Sequence, residues 1–465
     1  MTQERPIYVV GGGLAGSECA WQLAERGHSV VLIEMRGVQS TPAHTTDRLA
    51  ELVCSNSFGS QTDYSAPGQL KWEAEKLGSL ILKAARESTI PAGMALGVDR
   101  VVFANSITEA IANHPRIRIE RRVVRDLADI PRPTVIATGP LTDQSLAESI
   151  RNHLRDDGDA ATSGADAVGT ATAGAESEFL YFFDAIAPII DVDTINMDIA
   201  FKADRFDNGT NDYINCPFDK EPYFKFIEAI KNARKIEPKE FENVPYFESC
   251  MPIEVMVDRG PLTPRFGPMS PNGIRHPKTG EKPYAVVQLR QENREATSYN
   301  MVGFQTKMAY GDQKEVFRMI PGLENAEFLK LGSIHRNMYI HSPRKLSPVL
   351  SSKKDAELFF AGQITGVEGY FDSTCIGLLV ARFLHDRLSG REVAMPPRET
   401  AFGSLLNAIT EPKKHFQPTN INFGLFPVPD MKTRNQKDRE LKREVQLEIA
   451  KAAMTKWVSE TTGLG

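Results

Sequence analysis

Hydrophobic and polar positions alternate in blocks that spell strand, turn and helix. Residues 7–10 (IYVV) form a short apolar run. A glycine run follows at 11–13, then a helix-length segment, and residues 30–34 (VVLIE) form a second apolar run ending in an acid. This is a β-α-β unit opening with Gly11-x-Gly13-x-x-Gly16. Further on, residues 69–87 have the spacing of an amphipathic helix, and 95–102 and 117–124 read as strands. The buried run TVIATG at 134–139 is a strand ending in a turn. Residues 156–178 hold only small and polar or acidic types with no aromatic residue, apart from single apolar positions, and predict a disordered surface insertion. From residue 179 aromatics and prolines become dense, with strands expected at 197–203 and 284–289. At 358–362 (LFFAG) a strand pattern returns, followed by Gly366, Gly369 and a helix over 373–388. The order predicts an α/β protein whose first domain is interrupted by an inserted one and then completed.

The glycines carry the first chemical signal. Gly11 allows a tight turn out of the strand, Gly13 lets backbone approach a pyrophosphate, and Gly16 lets the helix pack on the sheet. Free N–H groups at the helix start face the phosphates. Glu34 lies 18 residues beyond Gly16, where a carboxylate can accept from a ribose hydroxyl and would repel a 2′-phosphate. A lone GxGxxG is weak evidence, but here both strands, the helix and the acid accompany it. The ATG strand ending at Gly139 and the late strand–glycine turn–helix at 358–388 turn the expectation from any dinucleotide toward FAD.

Composition adds limits. At 465 residues the chain suits two or three domains. No apolar run approaches the roughly 18 residues of a membrane span, and the first strand starts too early for a signal peptide, so a cytoplasmic protein without a membrane partner is expected. The five cysteines, Cys19, Cys54, Cys216, Cys250 and Cys375, are widely spaced with no CxxC, and suggest neither a disulfide framework nor a zinc site; no metal is expected. The net charge of −5 is unhelpful for a nucleic-acid binder of any kind, which normally shows a basic face, and no DNA partner is expected. Residues 432–456 do carry eight Lys or Arg against four Asp or Glu, which a solvated amphipathic helix explains.

Ten segments then match one family in order. Among them are VVGGGLAGSECAWQLAERG, ELVCSNSFGS, IPAGMALGVDR, YFESCMPIEVM, PYAVVQLRQ, LFFAGQITGVEGY and HFQPTNINFG. Over about residues 5–430 the chain resembles the folate- and FAD-dependent tRNA (uracil-5-)-methyltransferases. The resemblance implies a glutathione-reductase-type, Rossmann-like FAD-binding domain in two sequence segments, 1–180 and 336–465, with an inserted α/β substrate domain at 181–335. It implies methylation of uridine C5 at position 54 of the tRNA T loop. The carbon comes from 5,10-methylenetetrahydrofolate, reduced FAD carries it and supplies electrons, and NAD(P)H reloads the flavin. The cofactor residues so implied are Gly11, Gly12, Gly13, Leu14, Ala15, Gly16, Glu34, Gly139, Gly362, Gly366, Gly369 and Tyr370, the last able to stack on a ring or to serve as a core residue.

Uracil C5 is a poor nucleophile. A thiolate added at C6 makes it enolate-like, and a second group must then take the C5 proton. Cys54 and Cys250 match the family's two functional cysteines. Cys250 is assigned as nucleophile and Cys54 as acid/base near the flavin, with the reverse assignment as the alternative. Arg290, Gln291, Lys413 and Lys414 are candidates for folate or RNA contacts, with His415, Arg265, His276, Arg336 and Asn337 as possible additions. Two departures stand out. Phe58-Gly59 replaces a basic step after Cys54, and Asp372, Thr374 and Cys375 stand where relatives carry Glu, Ala and Ala. They keep open a ribosomal uridine as target, or a flavin-bound RNA-binding or tRNA-folding protein with weak catalysis. A small-molecule FAD oxidoreductase would explain Gly11 to Glu34 but not the cysteine-bearing insertion.

Overall fold

Five parallel strands carry the glycine turn, in the order Ile117–Arg121, Val30–Glu34, Ile7–Val10, Thr134–Ile136, Leu358–Phe360. The first strand is central, the chain builds outward to one side, then crosses back and builds to the other. The last strand comes more than 200 residues after its neighbour, so the sheet is closed by a second chain segment. The computed structural model describes residues 5–41, 43–155, 179–207, 209–236, 251–413, 416–431 and 436–462. The insertion expected at 156–178 lies outside them.

Helices Leu14–Glu25 and Tyr370–Leu388 pack together over this sheet. Their closeness rests on Gly377, where a Cβ would stand 2.2 Å from the carbonyl oxygen of Ala15. Cys19 and Cys375 are wholly buried in this core, and burial pushes both thiols up. Cys216, buried in the second core, is pushed up in the same way. All three therefore stay protonated and inert.

A second sheet of six antiparallel strands lies between the two segments. Its order is Phe201–Lys202, Tyr213–Phe218, Ala285–Gln291, Ser298–Met301, Ile189–Asp191, Phe328–Lys330. It has its own aromatic core, including Phe218, Tyr223, Phe226, Tyr299, Phe304 and Phe317. The outgoing strand Phe179–Ile186 and the returning strand Ser333–Ile340 pair antiparallel along their whole length. One two-stranded ribbon therefore links the sheets.

Three elements differ from the pattern read in the sequence. The helix expected over 69–87 is two helices, Ala66–Lys76 and Leu80–Glu87, because Gly78 turns the chain at φ +71° and Ser79 caps the second helix. The strand expected over 95–102 stops at Val98. Asp99 there accepts from the N–H groups of Val101 and Val102 and starts the helix Arg100–Ala112. The strand expected at 197–203 is only Phe201–Lys202. Among the described residues no helix is long and apolar enough to cross a membrane, and no group of three or more His, Cys, Asp or Glu could hold a metal.

Candidate functional site: a cleft at the strand-order reversal

The carboxyl ends of the five parallel strands open into one cleft of roughly 1030 Å³ including its mouth. It lies where the strand order reverses between Ile7–Val10 and Thr134–Ile136, the place where open α/β sheets take ligands. Gly11 and Gly13 to Ala15 line it from the first turn, Glu34 and Arg36 from the second strand, Ala137 to Asp143 from the fourth, and Ala361 to Gln363 from the fifth.

The first turn is built for close approach. Gly11 adopts φ +103°, and a Cβ there would stand 2.4 Å from the Ala137 carbonyl. A Cβ on Gly16 would stand 1.8 Å from the Gly11 carbonyl, so the helix sits directly on the turn. At Gly13 a Cβ would meet nothing within 4 Å. That glycine leaves open space at a helix start with no side-chain cap. The helix Tyr370–Leu388 also begins at an uncapped glycine, Gly369, and puts Tyr370 and Ser373 on the same cleft. Two helix N-termini therefore present N–H groups and positive dipole ends to one cavity.

Glu34 is 5% exposed. Its carboxylate accepts from the Gly12 N–H at 2.7 Å, from the Arg36 N–H at 2.8 Å and from the Arg36 guanidinium at 3.0 Å. Burial alone would raise its pKa. The hydrogen bonds and charge of Arg36, with the Gly12 N–H, outweigh burial and hold it below the usual range. A buried carboxylate kept ionised at the second strand end fits a ribose diol. Arg36, which sequence reasoning missed, stands two residues beyond Glu34.

Cys54 stands at the edge of this cleft on the loop after Val53, which lines it. The Tyr370 hydroxyl accepts from the N–H groups of Cys54 at 2.7 Å and Ser55 at 3.1 Å. Arg100 donates to the carbonyls of Leu52 at 2.7 Å and Cys54 at 3.3 Å, and pairs with Glu292 of the second sheet at 2.7 Å. Arg290 donates to Ser55 Oγ at 3.0 Å. Asn56, wholly buried, donates to the carbonyls of Gln291 and Val98 and accepts from Asn300. The Cys54 Sγ lies 3.8 Å from the Ala185 carbonyl on the linking ribbon. The loop is thus held from three sides.

Of the residues named from sequence, Gly11, Gly13, Leu14, Ala15, Glu34, Gly139, Gly362 and Tyr370 line the cleft. Gly12, Gly16, Gly366 and Gly369 stand behind it: Gly12 holds Glu34, and Gly366 packs on the Phe416 ring. Arg290 adjoins the Cys54 loop. The Gln291 side-chain amide is turned into its own loop, bonded to the carbonyls of Asn293 and Arg294. Lys413 bonds the Ala408 carbonyl at the end of helix Ala401–Thr410. Cys250, Lys414 and His415 lie outside the described residues. Phe58 is a packing residue behind the loop, edge-on to Phe103 and Phe371. The buried Lys71 ammonium holds the carbonyls of Phe58 and Ser60.

A parallel sheet completed by a distant segment, with an acid and two uncapped helix starts at its strand-order reversal, defines a dinucleotide-binding α/β protein. The family described as glucose inhibited division protein A matches residues 6–392. The methylenetetrahydrofolate–tRNA-(uracil-5-)-methyltransferase TrmFO of Bdellovibrio bacteriovorus is 62% identical over 459 residues, covering 98% of this chain and 99% of the relative. The Bacillus subtilis protein of the same name is 47% identical over 94% of this chain and 95% of its own. Among solved structures, Aquifex aeolicus GidA superposes with a TM-score of 0.66 at 15% identity, covering 99% of this chain and 76% of that one. At that identity the likeness speaks for the fold alone. The chain belongs to the glucose inhibited division protein A family, on its methylenetetrahydrofolate–tRNA-(uracil-5-)-methyltransferase branch.

Proposed function

We propose that this protein methylates C5 of the uridine at position 54 of the tRNA T loop, with 5,10-methylenetetrahydrofolate as carbon donor and FAD as its resident cofactor. The observation that carries the reading is Cys54, pinned by the Tyr370 hydroxyl at the edge of a cleft shaped for a dinucleotide. FAD, when bound, carries the one-carbon unit and supplies in its reduced form the electrons that complete the methyl group, NAD(P)H restoring that form. The residues present fit the group: open space over Gly13, uncapped N–H groups at two helix starts, and an ionised buried Glu34. Glu34 would accept from the ribose, the turn at 11–15 would take the pyrophosphate, and Gly362, Tyr370 and the second helix start would hold the flavin end. The FAD-binding segments, 1–180 and 336–465, would then be of the glutathione-reductase type, with 181–335 as the substrate domain, working in the cytoplasm on RNA rather than DNA.

Cys250 adds its thiolate to uracil C6, which makes C5 nucleophilic. Once C5 has gained the carbon, Cys54 takes the C5 proton, and the C6–sulfur bond then breaks. Arg290, Lys413 and Lys414 supply positive charge for the folate tail or the RNA. The test is direct. The purified protein should be yellow and should transfer label from methylenetetrahydrofolate to a T-loop RNA, while Cys250→Ala should retain FAD and lose transfer. A protein that cannot be loaded with FAD, or full turnover by Cys250→Ala, would overturn the reading.

A further inference from the structure

A second cavity lies at the far ends of the two helices that start at the cofactor cleft. Twelve residues of helix Leu14–Glu25 separate the two sites by about 18 Å along the axis. Its volume is roughly 860 Å³ including its mouth, and three arginines line it: Arg26, Arg382 and Arg391. Arg382 is 7% exposed. Its guanidinium donates to Thr461 Oγ1 at 2.9 Å and lies 4.8 Å from the Trp457 ring. Arg26 donates to the carbonyl and the side-chain oxygen of Gln22. Among the described residues, neither arginine has a carboxylate within salt-bridge distance.

Two carboxylates share the wall, and both are engaged. Asp386 lies 3.6 Å from Arg391 and accepts from the Ala394 N–H. Glu25 faces His114 at 3.1 Å. Glu18, close by, is wholly buried and bound by Ser79, Gln22 and the N–H groups of Leu80 and Ile81. His385 accepts from Arg391 on one ring nitrogen and bonds His28 on the other, so its ring is neutral. Burial, then the neighbouring His28, Arg391 and Arg26, push its pKa down to about 4. Burial and then Arg26 push Arg382 down to about 10. Among the described residues three carboxylates, Asp386, Glu18 and Glu25, act on Arg26 through space, yet each is engaged elsewhere and none lies within salt-bridge distance of Arg26 or Arg382.

Compensation of helix C-termini explains Arg26, which caps its own last turn. It does not explain Arg382, whose one acceptor among the described residues belongs to the C-terminal helix and which lines the cavity. Buried guanidinium groups are ordinarily paired, and several facing one space make the forked donor set that matches a phosphate. We propose that this cavity binds a small phosphate-bearing molecule, its oxyanion taken by Arg26, Arg382 and Arg391. The cavity stands at the helix C-termini, at the opposite end of the sheet from the cofactor cleft, and that placement argues for a free ligand over a phosphate of the RNA under modification. A bound anion would also tie Thr461 and the C-terminal helix to the β-α-β unit.

The test uses the FAD-loaded full chain, so that the cofactor cleft cannot take the probe. Inorganic phosphate and AMP are titrated at constant ionic strength, with chloride as control, and followed by calorimetry and by Tm. The expected result is saturable binding with an upward Tm shift of about 2 °C. In Arg382→Gln the Kd should rise at least tenfold, with flavin absorbance and methylation unchanged. AMP binding at least tenfold tighter than phosphate would identify a nucleotide as the source, and equal affinity a free phosphate. No saturable binding of either by the unaltered chain overturns the proposal, and needs no variant. Binding unchanged in both Arg382→Gln and Arg391→Gln overturns it too. So does T-arm RNA binding weakened by Arg382→Gln without any response to phosphate or AMP.

Discussion

Tyr370 joins the cofactor cleft to the loop of Cys54, and its hydroxyl is the contact that matters. It accepts the backbone N–H groups of Cys54 and Ser55. Removing it takes away the acceptor that both N–H groups share at a partly buried loop, at a cost of about 0.5–1.5 kcal/mol per lost bond. Tyr370→Phe should therefore keep FAD but loosen the loop. Alkylation of Cys54 by iodoacetamide should speed up several-fold, and kcat for methylation should fall at least tenfold. Unchanged alkylation and kcat would reduce Tyr370 to a packing residue. Glu34 makes a second case. Its folded pKa is held below its unfolded value, so its contribution to stability is present above about pH 4.5 and is lost as pH falls through the folded value. In Glu34→Gln that acid-side loss should shrink. Arg36, 2% exposed, keeps only the more distant Glu51 at 3.6 Å, so stability at pH 7 should drop by about 1–3 kcal/mol. FAD release measured by fluorescence and melts from pH 3 to 7 check both.

At the scale of elements, local chemistry was legible where it was repeated and failed where one residue decided it. The unit from Ile7 to Glu34 carries strand, glycines, helix and acid together, and all of them stand where the spacing put them. The helix over 69–87 kept its apolar face, but one glycine broke it. Asp99 ended a strand whose apolar pattern ran on into the helix it caps. No local pattern announces that Glu73, wholly buried, caps another helix, accepting from the N–H groups of Ala401 at 2.8 Å and Phe402 at 2.9 Å. Burial outweighs these bonds and the Gln69 contact, and pushes its carboxyl up to about 7. With a folded pKa above the unfolded one, stability is greater below about pH 4.5 and is lost as pH rises toward 7. Glu73→Gln should remove that fall, worth up to about 3 kcal/mol. Glu73→Leu, which loses the cap, should be destabilised at every pH. Urea melts of the three proteins at pH 4.5, 6 and 8 decide it.

For the whole molecule the question is what holds Cys54 in place between two sheets that are distant in sequence. Sequence reasoning found Cys54 and Arg290 but could not find their supports. Arg100 and Glu292 lie 192 residues apart and Tyr370 lies 316 from Cys54, and nothing short-range marks such pairs. Yet the structure puts the Arg100–Glu292 pair, with Asn56 and Asn300, at the junction of the loop and the inserted sheet. Burial lowers the pKa of Arg100, but Glu292 outweighs it, so the guanidinium is held as a charged fork over the Leu52 and Cys54 carbonyls. Breaking one partner of such a pair leaves a buried charge and costs about 3–5 kcal/mol, while removing both costs far less. Arg100→Met and Glu292→Met should each be strongly destabilised, and the double variant should be no worse than the worse single one. Arg100→Lys should not rescue, since an ammonium cannot reach both carbonyls and the carboxylate at once. If the pair positions Cys54, the folded double variant should keep FAD and its KM for RNA but lose kcat at least tenfold. If it only ties the two sheets together, the double variant should methylate at the unaltered rate, and the role assigned to Arg100 falls.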